Sequence, residues 1–252
     1  MGGRERRARV EHRLGHLMLV IDKIKRVLTF PVDHFEEGWF EPWTTNVVKR
    51  LVQPGWVCYD VGANEGWYTT LFSLLAKAGG QVITFEPMTS ATVKKLAVEI
   101  AEILDAAPVQ GYDVALTNAV GAGVKRVQRV RTDAWTLQEC ADGGEGQYRY
   151  LDDIVRSDKL PPPNIIKIDV DGDEPRVLSG ASAVIEAHRP VIVLEVAPDY
   201  NKLQGLDIEP SLRWLQGLGY KLCSDETGKE YDASQVQALV CAWSSINLIC
   251  MP

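Results

Sequence analysis

Five acidic residues lie at or just after the ends of apolar stretches, and this spacing is the feature of the sequence that could do chemistry. They are Asp60, Glu86, Asp113, Asp169 and Glu195. Short apolar runs of this kind are typical of buried parallel strands. Because the carboxyl ends of parallel strands meet at one edge of a sheet, where ligands of open α/β folds bind, we expect all five acids to face one crevice.

A small turn follows the first of these strands and reads Gly62-Ala63-Asn64-Glu65-Gly66. Its two glycines let backbone N–H groups come close to a ligand, and the N-terminus of the next predicted helix points at the same place. We therefore expect a bound ligand to be contacted by Asp60 and by the turn residues Gly62, Ala63, Asn64 and Gly66.

The second predicted strand, 81–85, ends in Glu86 and Pro87. In dinucleotide-type folds an acid at this position holds the ribose hydroxyls of an adenosine. We expect Glu86 to accept both ribose hydroxyls and Asp60 to bind an amino group. Asp113, at the end of the first apolar run of the third predicted strand (109–116), could accept the adenine amino group.

Two adenosine ligands compete for this turn. NAD requires a turn with three glycines, because its pyrophosphate must lie against bare backbone. This turn has two glycines, and the carboxylates of Asp60 and Glu65 would repel a pyrophosphate. They suit the sulfonium and amino groups of S-adenosylmethionine, which the sequence favours. An NAD-type oxidoreductase and a non-catalytic adenosyl-ligand binding protein remain as alternatives.

Lys167 and Asp169 are two residues apart on one predicted strand, so their side chains share a face. A lysine in an apolar strand must be paired or must extend its ammonium to solvent, and we expect it to meet a carboxylate, with Asp169 and Glu195 as the candidates. Asp169 could orient or deprotonate an acceptor hydroxyl. A magnesium ion held by Asp169 and Glu195 is a further possibility.

Strands alternate with helices along most of the chain, which predicts a doubly wound, mostly parallel α/β sheet. Residues 117–163 break this alternation and indicate an inserted hairpin or flap. Together with residues 31–45, the flap is expected to shape the acceptor pocket. Residues 1–37 form a predicted N-terminal helical extension, whose apolar seam fits packing on the domain, a homodimer or docking on a membrane surface.

The composition of the chain indicates which kinds of binding partner and which cellular compartment are compatible with it. The net charge of −7 makes nucleic-acid binding unlikely, although residues 1–26 carry eight Lys and Arg against three acids. Five cysteines without a Cys-x-x-Cys pair indicate reduced thiols and a cytoplasmic protein. No apolar run has the length of a membrane span.

Four segments resemble the FkbM family of S-adenosylmethionine-dependent methyltransferases, and the likeness covers roughly residues 38–252. The segments are 59–66, 85–87, the Lys-Ile-Asp-Val-Asp-Gly-Asp-Glu run at 167–174, and 247–252. Leu151-Asp152-Asp153 resembles a further family segment. Two departures are Asp171, where glutamate is usual, and Glu65, where the family often has an apolar residue.

The resemblance implies a Rossmann-like class I methyltransferase with seven strands and an antiparallel last strand. It also implies S-adenosylmethionine as the cofactor and methyl transfer to a hydroxyl of a small molecule, a sugar or a polyketide-type metabolite. Lys167, Asp169 and Glu195 are then the candidate catalytic residues. Glu41 and Thr45 lie on a helix expected to border the donor pocket.

Overall fold

The computed structural model describes residues 40–64, 66–87, 106–118, 124–129, 135–144 and 147–252. The predicted N-terminal extension, the helix predicted between residues 89 and 106, and Glu65 lie outside these ranges. The N-terminal extension and its proposed dimer therefore stay predictions.

Helices and strands alternate along much of the described chain, as the sequence predicts, except in and near the inserted region. The helices are α1 (Pro42–Leu51), α2 (Trp67–Ala76), α3 (Leu151–Asp158), α4 (Glu174–Gly180), α5 (Ser182–His188), α6 (Pro198–Leu203), α7 (Glu209–Gly217) and α8 (Ala233–Val236), and a 3-10 turn spans Gln237–Leu239. The strands are β1 (Val57–Val61), β2 (Gln81–Phe85), β3 (Val109–Tyr112), β4 (Val114–Leu116), β5 (Val124–Arg129), β6 (Trp135–Gly144), β7 (Gln147–Arg149), β8 (Ile165–Ile168), β9 (Val191–Val196), β10 (Lys221–Ser224), β11 (Glu230–Tyr231) and β12 (Ile246–Met251).

The main sheet has the order β11-β10-β12-β9-β8-β1-β2-β3. Strands β1, β2, β3, β8 and β9 are parallel, whereas β12 runs antiparallel to both of its neighbours, β9 and β10. The predicted doubly wound sheet with an antiparallel last strand is confirmed. The two-residue strand β11 pairs with β10 as a hairpin and adds an eighth strand at the edge.

The two faces of the sheet bury two separate apolar clusters, because side chains alternate along each strand. One cluster takes Tyr59 and Ile166 from the strands and packs them under α3, α4, α5 and α7. The other takes Cys58 and Ile165 and packs them under Val48 of α1 and the apolar side of α2. The second face is the one that carries the polar residues described below.

Two predicted elements are interrupted in the structure. The third predicted strand, 109–116, breaks at Asp113: β3 pairs with β2 in the main sheet, whereas β4 pairs with β7 in a separate two-stranded sheet. The helix predicted over 174–187 breaks at Ala181 into α4 and α5. A Cβ on Gly180 would come 2.1 Å from the backbone oxygen of Thr117, so the chain is closely packed at this break.

The predicted flap range, 117–163, contains two kinds of structure. Strands β5 and β6 form an antiparallel hairpin, as expected of an insertion. Helix α3 lies in the same range, but its Leu151 and Ile154 are buried in the main core. The sequence also predicts a returning strand over 148–151, but the observed strand β7 ends at Arg149 because Leu151 already begins this helix.

Across the ranges that the structure describes, no helix combines the length and the apolar character that crossing a bilayer would require. Cys58, Cys223, Cys241 and Cys250 are free thiols, as the sequence predicts.

Candidate active site

The strand register collects the polar strand residues on the face covered by α1 and α2. Asp60 on β1 lies opposite Lys167 on β8 and Thr84 on β2. Glu195 on β9 lies opposite Asn247 on β12. On its own strand, each of these polar residues stands two positions from an apolar residue of the cluster under α2. Side chains two positions apart on a strand point to the same side, so the polar residues lie on the sheet face covered by α1 and α2. The polar layer thus lies at the carboxyl ends of the parallel strands.

Lys167 and Asp169 form an ion pair, with 2.5 Å between Nζ and Oδ2. The lysine side chain is only 2% exposed and its Nζ lies 4.4 Å from the ring centre of Tyr68 on α2. Burial alone lowers the pKa of Lys167, but the charges of Asp169 and Glu41 outweigh it and raise this pKa. The predicted pairing of the lysine with Asp169 is therefore confirmed, and the lysine is a fixed cation.

Asp169 and Glu195 share a hydrogen bond, and their surroundings shift their pKa values in opposite directions. Burial, together with the negative charge of Asp169, raises the pKa of Glu195 well above its ordinary value. Burial also acts to raise the pKa of Asp169, but the Lys167 ammonium and the hydrogen bonds from Lys167 and Glu195 lower it. We infer that Glu195 is the protonated donor and that Asp169 is the carboxylate.

Glu41 joins this cluster from the start of α1. Its Oε2 accepts hydrogen bonds from the Tyr68 hydroxyl at 2.6 Å and from Asn247 Nδ2 at 3.3 Å. Burial raises the pKa of Glu41, while the charge of Lys167 opposes the rise. We define the acid cluster as Glu41, Tyr68, Lys167, Asp169, Glu195 and Asn247.

The glycine turn packs directly against the acid cluster. Gly62 has a φ of 82°, and a Cβ there would lie 1.7 Å from the backbone oxygen of Asp169. This glycine is therefore required by packing between the ends of β1 and β8, in addition to any approach by a ligand. Ala63 is buried, whereas Gly66, with a φ of 79°, is the residue that precedes α2.

Glu86 holds the turn from the neighbouring strand end. Its Oε2 accepts a hydrogen bond from the backbone N–H of Asn64 at 2.9 Å. The side chain is 9% exposed, whereas Asn64 is exposed. The turn and the second strand end, 22 residues apart in sequence, thus form one structural unit with a carboxylate at its edge.

The other residues predicted to contact S-adenosylmethionine differ in their exposure to solvent. Asp113 is exposed in the break between β3 and β4, and Pro87 is half-buried after Glu86. Thr45 is fully buried, donates to the backbone oxygen of Phe40 and accepts from Trp67 Nε1 at 3.2 Å. The bond from Trp67 ties α1 to α2, whereas the bond to Phe40 stays at the start of α1.

Asp60 is buried beneath α2, where its Oδ2 accepts a hydrogen bond from the Thr69 hydroxyl at 2.5 Å. Burial raises the pKa of Asp60 to about 6, although Thr69 and Lys167 act in the opposite direction. A carboxylate at this depth costs stability whenever it is ionised.

Replacing Asp60 by asparagine should make the protein relatively more stable at neutral pH. The unfolded chain releases this proton near 3.8 and the folded chain holds it to about 6, so wild-type stability is full below the first value and falls as the pH rises to the second. The variant keeps an acceptor for Thr69 and lacks this fall. The stability difference, variant minus wild type, should grow by roughly 2.4 kcal/mol from pH ~4 to pH ~7, which is most of the full shift at about 1.4 kcal/mol per pKa unit.

Urea unfolding of both proteins at the two pH values measures this change. The exposed Glu186→Gln serves as the control, and its difference from wild type should stay within about 0.5 kcal/mol. An Asp60→Asn difference that does not depend on pH would show that Asp60 is ionised in the folded protein at no cost.

Four residues were missed by the sequence analysis as parts of the site. Tyr68 stands three and four residues before the buried Leu71 and Phe72, a spacing that could have placed it on the sheet side of α2. Asn247 and Ser245, whose hydroxyl donates to Glu195, precede the apolar part of the last strand. Their recruitment depends on strand pairing that the sequence does not show.

Glu174 is the fourth and organises the loop that follows β8. It is fully buried, and its Oε1 accepts hydrogen bonds from the backbone N–H groups of Val170 and Gly172, both at 3.1 Å. Its Oε2 accepts from Asn201 Nδ2 at 2.8 Å. This carboxylate therefore fixes the backbone that carries Asp169.

The acid cluster does not fit a magnesium ion. Asp169 and Glu195 do come together, but the Lys167 ammonium already lies 2.5 Å from Asp169 and would repel a second cation. Within the described ranges, no group of three or more His, Cys, Asp or Glu side chains is placed to hold a metal.

The sequence matches the family model of the methyltransferase FkbM domain over residues 60–222. The chain belongs to the FkbM methyltransferase family. The matched range runs from Asp60 to β10 and includes the glycine turn, Glu86, and the Lys167 and Asp169 pair. The resemblance predicted from the sequence is therefore confirmed, and the parallel sheet with its antiparallel last strand gives this FkbM-family protein a Rossmann-like fold.

Solved structures with similar folds include three methyltransferases. The FkbM methyltransferase of Methylobacillus flagellatus KT is 14% identical with a TM-score of 0.45, and the match covers 92% of this chain and 60% of that one. A SAM-dependent O-methyltransferase of Thermotoga maritima is 12% identical with a TM-score of 0.45, covering 91% and 71%. An O-methyltransferase of Bacillus cereus in complex with SAH is 13% identical with a TM-score of 0.42, covering 92% and 91%. No curated protein matches the sequence.

Proposed function

We propose that this FkbM-family protein transfers the methyl group of S-adenosylmethionine to a hydroxyl of a small molecule, a sugar or a polyketide-type metabolite. The observation that carries the proposal is the pairing of two sites at one sheet edge. The glycine turn with Glu86 forms the first, and the Lys167–Asp169–Glu195 group forms the second. Gly62 joins them, because a Cβ there would overlap the backbone oxygen of Asp169.

The charges of the first site fit a cationic nucleoside. Carboxylates line the ends of β1, β2 and β3, and segments 57–76, 81–87 and 106–118 contain no lysine or arginine. A pyrophosphate would meet repulsion there. The ribose hydroxyls of the donor need an acceptor, which Glu86 supplies, and Asn64 is exposed beside it. Asp60 lies beneath the turn and adds negative potential.

S-adenosylmethionine, when bound, supplies a methyl group activated by a positively charged sulfur. Asp169 would accept a hydrogen bond from the acceptor hydroxyl and hold its oxygen in line. The hydroxyl becomes strongly acidic only as the new bond forms, so a carboxylate whose pKa is lowered by Lys167 is still a sufficient base. Glu195, whose pKa is raised by burial and by the charge of Asp169, acts as a hydrogen-bond donor to Asp169, and Lys167 keeps the charge of Asp169 in place.

Labelled donor tests this proposal directly. Purified protein is first titrated with S-adenosylmethionine and, separately, with NAD by calorimetry. It is then incubated with labelled donor and pools of hydroxylated metabolites, and products are sought by mass. Donor binding and a labelled methyl ether are expected. Preference for NAD, or binding of neither ligand, would refute the proposal.

Replacing Glu86 by alanine should weaken donor binding on the order of tenfold to a hundredfold. Hydrogen bonds to a charged group contribute roughly 1.5–3 kcal/mol, and this change removes the carboxylate that would hold the ribose. Calorimetry with S-adenosylmethionine measures the loss.

Glu86→Gln is the matched variant, because it keeps an oxygen for the backbone N–H of Asn64. It should bind the donor better than Glu86→Ala and should melt at the wild-type temperature. If both variants bind as tightly as the wild type, Glu86 serves only to hold the turn.

A further inference from the structure

The buried Lys167 ammonium has two partners of different kinds. An ammonium carries three N–H donors, yet within the described ranges Asp169 Oδ2, at 2.5 Å from Nζ, is the one oxygen that accepts a hydrogen bond from it. The second partner is an aromatic face, because Nζ lies over the ring of Tyr68, 4.4 Å from its centre. A cation this close to a ring is attracted by its negative face, most strongly where water is excluded. The ring therefore takes the place of a second oxygen acceptor.

Contacts on several sides fix the ring of Tyr68. The side chain is 3% exposed and belongs to the first turn of α2. Its hydroxyl donates to Glu41 Oε2 at 2.6 Å. Its ring contacts Phe72 at a tilted angle and Phe40 edge-on, with centroid distances of 6.1 and 6.3 Å. The face that meets Lys167 is thus held in one orientation.

The position of the ammonium decides which carboxylate it serves. The charges of Asp169 and Glu41 both act on Lys167, so an ammonium free to move could approach either of them. Held against the ring, it stays on Asp169 and lowers the pKa of that carboxyl. The other titratable groups around Asp169 are Glu41 on α1, Asp60 on β1 and Glu195 on β9. All three are acids, so none of them could replace the cation.

We propose that Tyr68 is a positioning residue for methyl transfer, whose aromatic face holds the Lys167 ammonium against Asp169. The inference rests on the proposed function, since it assigns the side chain that keeps the Asp169 carboxylate ionised beside the acceptor hydroxyl. Tyr68 acts through Lys167 and not on the reacting atoms. It stands two residues after Gly66, so the chain that forms the glycine turn continues directly into the support of the ion pair.

Replacing Tyr68 by methionine and, separately, by phenylalanine tests the role of the face. Methionine fills much of the volume with a flexible chain but offers no aromatic face, whereas phenylalanine lacks only the hydroxyl. Tyr68→Met should lower kcat about thirtyfold or more, with the KM for S-adenosylmethionine within about threefold of the wild type. Its turnover should also begin to fall at a higher pH, because the cation that lowers the pKa of Asp169 is no longer held. Tyr68→Phe should restore most of kcat and the wild-type pH profile.

Tyr220 is the matched control, in the apolar cluster on the other face of the sheet. It is also 3% exposed, its hydroxyl donates to the backbone oxygen of Pro190 at 2.9 Å, and the Arg189 guanidinium lies over its ring at 4.6 Å. Tyr220→Met therefore removes a buried ring, a hydroxyl bond and a cation contact away from the site. It should lower the melting temperature while kcat and the pH profile stay those of the wild type.

NMR of protein labelled at the lysine Cε follows the contact without any acceptor. Protons over the face of an aromatic ring are shifted to high field. The Lys167 methylene signal, identified by its loss in Lys167→Arg, should therefore lie at high field in the wild type and in Tyr68→Phe, and should lose this shift in Tyr68→Met. If Tyr68→Met does not fold, the signal decides alone: a high-field position in the other two proteins supports the assignment, and its absence overturns it.

The kinetic results can overturn the assignment in three ways. Tyr68→Met could keep the wild-type kcat and pH profile, Tyr68→Phe could lose as much as Tyr68→Met, or Tyr220→Met could lose as much as Tyr68→Met. The second result would place the effect on the hydroxyl bond to Glu41 instead of the face. A high-field Lys167 signal in a protein that methylates no acceptor would refute the methyltransferase proposal and leave the contact between ring and ammonium in place.

Discussion

Replacing Lys167 by methionine should cause the largest loss of stability and turnover of any single change in the site. The lysine is 2% exposed and pairs with Asp169, and the charges of Asp169 and Glu41 both act on it. Methionine fills a similar volume but leaves these carboxyl groups without a cation. Removing one partner of a buried ion pair costs about 3–5 kcal/mol, a large share of the roughly 5–15 kcal/mol that keeps a protein folded. Denaturant unfolding measures this loss.

The double variant Lys167→Met with Asp169→Asn distinguishes an unpaired charge from lost packing. Removing both charges should recover at least half of the stability lost in the single variant. Arg213→Met breaks the exposed pair with Glu209 and should cost less than about 1 kcal/mol. If Lys167→Met is as stable as Arg213→Met, the buried lysine does not compensate the acid cluster.

Replacing Asp169 by asparagine should reduce turnover on the order of a hundredfold to ten-thousandfold while donor affinity changes by less than about threefold. The variant keeps an oxygen that can accept from Lys167 but cannot take a proton, and general-base catalysis contributes about this much to a rate. Turnover is followed with labelled donor and the acceptor found in the metabolite pools, and donor affinity is followed by calorimetry.

Asp171→Asn is the matched control, since it makes the same chemical change two residues further along the same loop. Asp171 has a φ of 52°, a left-handed conformation that asparagine tolerates well. Its turnover should remain within about threefold of the wild type. Equal turnover in Asp169→Asn and the wild type would remove Asp169 from the chemistry, and an equal fall in both variants would indicate a general effect of the loop.

The pH dependence of turnover gives a further readout that a purely structural role would not alter. Lys167 lowers the pKa of Asp169, so turnover that depends on the Asp169 carboxylate should stay constant through mildly acidic pH and fall only at lower pH. In the Lys167→Met, Asp169→Asn double variant this fall at low pH should be absent, because asparagine does not titrate.

The sequence by itself determined the order of the strands and helices, the glycine turn and the positions of the strand-end acids. These features follow from local patterns: apolar runs, glycine spacing and the two-residue period that places Lys167 and Asp169 on one face. The pairing of these two residues could be predicted because a buried lysine requires a carboxylate nearby.

Only the tertiary structure decided which distant residues complete the site. Glu41 meets Asn247 across 206 positions of sequence, and Asn64 meets Glu86 across 22. The break at Asp113 depends on the pairing of β4 with β7, and the raised pKa of Glu195 depends on its burial beside Asp169. Contacts and burial of this kind arise from packing between elements, which no local pattern specifies.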